Sequence, residues 1–248
     1  MTTASASREQ IISSSRVRLG AMSLVLSGIL FVLYPLLRPF SDESSLQGAQ
    51  AFASSAWILA HMLGVLGFIL IALGLLCLSS TLQHTAARRL ASLALVLTWI
   101  GVGLILPYYG AEMFGLRAIG QEALRQHSSA LLSLVDTVRL GPGAIVFVVG
   151  LGLLAIGAVL AAIAVWRSGT LSRWSGLPFA LGFVLYLPQF FGTQPIRVAH
   201  GLLVALGCIW VAVSLVRGQK PRSQLLQWQT PESGKHMTDK MLTRPPSD

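Results

Sequence analysis

The stretch Trp57–Leu78, WILAHMLGVLGFILIALGLLCL, decides the fold. It holds no Asp, Glu, Lys or Arg. It also has the length of about 20 residues that a helix needs to cross the hydrocarbon core of a bilayer. Working outward, five more runs read the same way: Leu19–Leu37, Leu90–Tyr109, Gly143–Trp166, Trp174–Phe191 and Val198–Val216. The expected fold is all-α: a polytopic membrane protein with six transmembrane helices in one bundle over residues 16–216. Composition agrees, with 54% hydrophobic and 11% charged residues and a mean hydropathy of +0.70. A soluble domain carries about 25% charged residues.

The net charge of +9 suggests a nucleic-acid partner until the positions are read. Numbered outward from the first span, 13 of the 18 basic residues fall on one side of the membrane. They sit before span one (Arg8, Arg16, Arg18), between spans two and three (Arg88, Arg89), between four and five (Arg167, Arg173) and after span six. Arg38, Arg117, Arg125, Arg139 and Arg197 fall on the other side. The positive-inside rule then places both termini in the cytoplasm. The basic balance is a topology signal, and no nucleic-acid partner is expected. The chain has no asparagine, and 15 Arg stand against 3 Lys. That bias is associated with GC-rich bacterial genomes, so a bacterial plasma membrane is the expected location.

Residues 1–15 read as a disordered cytoplasmic leader and residues 217–248, with four prolines, as a disordered tail. The segment 110–142 is the exception among the connections. Met113, Leu116, Ile119, Ala123 and Leu124 recur at helical spacing, and so do Leu131, Leu134, Val135 and Val138. Two short amphipathic helices on the outer side are expected.

Three outward-running spans close on glycine, aliphatics, proline and aromatics: Gly28…Tyr34-Pro35, Gly101…Pro107-Tyr108-Tyr109 and Gly182…Pro188-Gln189-Phe190. Spans two and six open on Ala60-His61 and Ala199-His200. Three helical hairpins descended from one unit would give this pattern; so would ordinary aromatic belts at the headgroup level. Span four is dense in Gly and Ala, which permit close helix approach. It is therefore expected to be the most buried helix.

No Asp, Glu, Lys or Arg lies within the spans, so proton-driven antiport is disfavoured. Walker, H-E-x-x-H and G-x-S-x-G motifs are absent. Cys77 and Cys208 carry no metal spacing. One face still collects chemistry. His61, His200, Glu112, Arg139, Tyr34, Tyr108, Tyr186 and Phe190 all fall toward the outer side and form a candidate pocket there. The reading this supports is a non-enzymatic sensor, accessory subunit or carrier. Its partners would be the lipid bilayer, a small apolar or neutral ligand, and another membrane protein or a second copy of the chain. The alternative is a haem or metal redox protein using His61 and His200, since neutral imidazole is a common haem and metal ligand.

Overall fold

The computed structural model describes residues 2–218, with side chains from Ser14 onward. The expected tail lies almost wholly outside them. All regular structure among the described residues is helical. The helices are α1 (Thr2–Leu37), α2 (Leu46–Ala53), α3 (Ser55–Leu82), α4 (Arg88–Gly110), α5 (Leu116–Arg125), α6 (Ser133–Leu140), α7 (Pro142–Arg167), α8 (Gly176–Val184) and α9 (Gln194–Arg217). The expected leader is helical from Thr2 onward, continuous with the first span.

Five of these segments are long and apolar enough to cross a membrane: Ser14–Leu37, Ser55–Leu82, Arg88–Arg125, Pro142–Arg167 and Gln194–Arg217. The chain is an all-α polytopic membrane protein. The sixth apolar run, Trp174–Phe191, does not form one helix. α8 stops at Val184, and a turn leads into a 3₁₀ turn at Pro188–Phe191. Pro188 has no N–H to bond the Val184 carbonyl, and its ring crowds that carbonyl. The last regular turn tightens accordingly: Tyr186 N–H bonds Phe183 O at 3.3 Å rather than the carbonyl four residues back.

The three proline-bearing ends thus behave differently. α1 stops two residues past Pro35. α4 runs through Pro107 and widens into a π turn, Ala111–Gly115. Only the third breaks.

The long segments pack as a closed ring. α1 lies against α3 and α9, α4 against α3 and α7, and α8 against α7 and α9. Each long segment is packed against the one before it and the one after it in the chain. Inside the ring the filling is aromatic. Phe31 meets Phe68, Phe183 and Tyr186 edge-on at 5.0, 5.9 and 5.7 Å between ring centres. Edge-to-face contact suits aromatic quadrupoles.

α7 is not the most buried helix. Of its most apolar 18-residue window 39% is buried, against 50% in α1 and in α9. Its Ile145, Val149, Ile156 and Ile163 form an exposed stripe. The glycines serve one close contact rather than burial all round. A Cβ at Gly101 would stand 2.7 Å from Gly150 O, and one at Gly150 would stand 2.8 Å from Gly101 O. At Gly157 it would stand 2.6 Å from Thr98 Oγ1 and 3.0 Å from Ala94 O. Gly157→Leu should therefore force α4 and α7 apart and cost roughly 1–3 kcal/mol. Thermal unfolding in mild detergent measures this. An unchanged midpoint would contradict the packing.

A second small core lies at one end of the ring. Ala49 and Phe52 of α2, Trp57 of α3, Leu116 and Ala123 of α5, and Leu132 and Val135 form it. α2 and α6 are too short to cross a bilayer; with α5, the last ten residues of the Arg88–Arg125 segment, they form a cap over this end. Ser45 and Ser54 start α2 and α3 by accepting backbone N–H bonds from Gln47 and Trp57. Arg117 Nη1 donates to Ser54 O at 3.1 Å and ties α5 to that junction.

Candidate functional site

Under the cap lies a cavity of about 710 Å³. Of the candidate residues, Tyr34, His61, Tyr108, Glu112, Arg139 and Phe190 line it, joined by Arg38, Glu43, Tyr109, Phe147 and Arg197. Tyr186 and His200 do not. They face an adjoining cleft of about 10 Å³, which shares Tyr34, Arg38, Phe40, Phe190 and Arg197 with the cavity. That is room for about one water.

An ionic chain crosses the cavity wall. The π turn after α4 buries Glu112, whose carboxylate takes a two-pronged contact from Arg139: Nε to Oε1 at 2.6 Å and Nη2 to Oε2 at 3.1 Å. Arg139 Nη1 reaches Glu43, and Arg38 Nη2 bonds the same carboxylate at 2.7 Å. The forked guanidinium geometry suits this bidentate pairing. Burial alone would raise the Glu43 pKa, but Arg139 and Arg38 more than offset it and hold the carboxyl below its ordinary value. Burial likewise opposes the Arg139 charge, and Glu112 and Glu43 overcome it, so its pKa is raised. Asp42 is fully exposed; hydrogen bonds from Ser44 lower its pKa.

Trp57 connects this chain to the small core of the cap. Its ring is fully buried. Nε1 donates to Glu112 O at 2.8 Å, Arg38 lies 4.6 Å over the ring, and Phe52 packs edge-on at 4.8 Å.

The two histidines have separate roles. His61 Nδ1 donates to Trp57 O at 2.7 Å, one turn back on its own helix. Its Nε2 faces Glu112 Oε2 at 3.8 Å. His200 Nε2 donates to Gly182 O at 2.7 Å. That carbonyl is the one Tyr186 would have bonded in an unbroken helix. His200 therefore satisfies a group that the break at Pro188 leaves open.

The histidines do not meet. Contacts run from His61 to Tyr109 at 6.0 Å, from Tyr109 to Tyr186 through their hydroxyls at 2.9 Å, and from Tyr186 to His200 at 5.3 Å. His61 donates through Nδ1 and His200 through Nε2, so each ring keeps one further nitrogen, and the Tyr109–Tyr186 pair links the two rings. No group of three or more His, Cys, Asp or Glu suited to a metal occurs among the described residues.

Tyr34 packs on His61 at 5.4 Å, and Tyr108 stacks on Phe147 at 4.2 Å. Sequence reasoning missed Trp57, Tyr109, Arg38 and Glu43. Trp57 opens an apolar run and Glu43 sits in a polar loop, so neither carried a signal. Tyr109 had one, as the neighbour of Tyr108 in the Pro-Tyr-Tyr closure.

No protein-family model, curated protein or solved structure matches this chain.

Proposed function

We propose that this chain is a non-enzymatic ligand-binding membrane protein: a carrier, sensor or accessory subunit whose pocket faces outward from a bacterial plasma membrane. Both termini then lie in the cytoplasm. The observation that carries this reading is the capped cavity of about 710 Å³. A few polar groups on a mostly aromatic and aliphatic wall are the usual build of a small-molecule site. The carboxylates of Glu43 and Glu112 are both held by arginines, which suits a fixed binding wall. The short basic connections at Arg88–Arg89 and Arg167–Arg173 support the orientation.

Native mass spectrometry of the full chain in mild detergent tests the pocket. Ala144 lines the cavity and is half-buried, so Ala144→Trp adds bulk to the cavity rather than to the core. The natural chain should carry a non-protein mass that Ala144→Trp loses, with thermal unfolding unchanged. The same adduct on both proteins, or none on the natural chain, overturns the reading.

A further inference from the structure

Apolar side chains stand exposed at the mouth of the cavity beside the polar Ser41 and Asp42, and the inner wall is charged. Leu140, at 79% exposure, and Val148 lie on one side of the mouth, and Phe191, at 90% exposure, lies on the other. The first two belong to the end of α6 and the start of α7; the third ends the 3₁₀ turn that follows the break in α8. That turn packs against α9. The turn touches α7 through Phe190 and Phe147, 5.9 Å between ring centres, and past that contact Phe191 and Val148 stand exposed at the mouth, where the exposed stripe of α7 begins. A mouth serving only water-soluble ligands would gain nothing from exposed Leu, Val and Phe. At the surface of a membrane-spanning chain such side chains meet lipid, so the mouth is open to acyl chains.

The charged wall is not fully paired. Arg38 and Arg139 bond carboxylates. Arg197 has no acidic partner among the described residues. Its Nε and Nη2 donate to the carbonyls of Gly192 and Phe190 at 3.0 and 2.5 Å. Its guanidinium lies 5.3 Å from the Phe40 ring and 5.9 Å from the Phe190 ring. Nη1 takes no partner among the described residues, and Arg197 lines both the cavity and the adjoining cleft. Of the three acidic residues facing the cavity, Glu43 and Glu112 are bound by Arg38 and Arg139, and Asp42 is exposed and bonded to Ser44. Arg197 is thus the cavity's cation without a bonded carboxylate, as exposed Asp42 is its carboxylate without a bonded cation.

Resting on the pocket reading above, we infer that the cavity holds a membrane amphiphile. Its anionic phosphate head lies at Arg197, and its acyl chain leaves between α7 and the Pro188–Phe191 turn. Guanidinium donors suit phosphate oxygens. The aromatic walls of Phe147, Phe190 and Tyr108 suit the first carbons of the chain. The ligand comes from the leaflet on the cap side, not from water.

The test adds phosphatidylglycerol, diacylglycerol of the same chains, or inorganic phosphate to the full chain in neutral detergent and reads occupancy by native mass spectrometry. Phosphatidylglycerol should bind about tenfold better than diacylglycerol, the range of one charged hydrogen-bonding contact. Arg197→Gln should remove that preference and Arg197→Lys should restore most of it. The lysine arm separates charge from any loss of the two carbonyl contacts. Phe191→Ser, at an exposed position, should weaken both lipids while the fold stays intact. Millimolar phosphate should not displace the lipid. Displacement by phosphate, with no effect of Phe191→Ser, would make the ligand a soluble anion and overturn the inference. Equal binding of both lipids, abolished by Ala144→Trp, would remove the head-group assignment and leave the pocket standing. Absence of any bound lipid on the natural chain, together with no native adduct, would remove the pocket itself.

Discussion

Trp57→Ala should be the most damaging single substitution at the cap end, lowering stability by about 3–5 kcal/mol. The ring is fully buried in the small core of the cap, so its removal leaves a void that α2, α3 and α5 cannot close together. It also leaves Glu112 O without its indole donor and Arg38 without an aromatic face. Trp210, 40% exposed on α9, is the control. Its replacement by Ala should change stability by roughly 0.5 kcal/mol or less. Chemical or thermal unfolding in detergent compares the two. Equal effects would mean that the cap is not packed on α3 as described.

Glu112→Gln should release the cap without unfolding the ring. Arg139 would lose its two-pronged partner and keep only Glu43. The cost should be roughly 1.5–3 kcal/mol, the range for hydrogen bonds to charged groups. It falls below the about 3–5 kcal/mol for breaking a fully buried pair, because the Arg139 side chain is 23% exposed. Amide exchange should rise in α5 and α6 and stay unchanged in α3 and α7. Acid should act in the same direction. The Glu43 carboxyl has a folded pKa below its ordinary 4.5. Its contribution is therefore complete above about pH 4.5 and is lost as pH falls through the lower folded value. Cap exchange that ignores both the substitution and the acid would remove the ionic chain from the account.

The spans were legible because charge-free runs of that length have few alternatives. The amphipathic pattern of residues 110–142 was also plain, and α5 and α6 lie within it. The break in α8 was not legible. Pro35, Pro107 and Pro188 sit in similar sequence, and each end has a carbonyl bonded by a neighbouring helix, through Gln194 to Pro35 O, Trp57 to Glu112 O and His200 to Gly182 O, so the pattern alone does not say which end breaks. Hydropathy also cannot separate a side chain facing lipid from one facing protein. Trp57 and Trp99 both read as apolar span residues; one is fully buried and the other is 49% exposed. Glu112 and Glu43 meet at Arg139 from three distant segments. No local spacing encodes such a meeting. The shared Ala-His opening places His61 and His200 each in the second turn of its helix, and the neighbouring backbone decides what each ring bonds.

The contact between α1 and α9 has a kinetic meaning. A Cβ at Gly28 would stand 2.9 Å from Ala205 Cα, and one at Gly201 would stand 2.5 Å from Phe31 O. The ring is therefore sealed by backbone surfaces far apart in the chain. During synthesis α1 emerges long before its partner and must wait with a bare, close-fitting face, while α3, α4 and α7 assemble beside it. High sequence separation makes such closure slow. Until α9 arrives the nascent bundle is an open arc with one unsatisfied edge. That interval is when a second copy of the same arc, or a quality-control protease, has its opportunity.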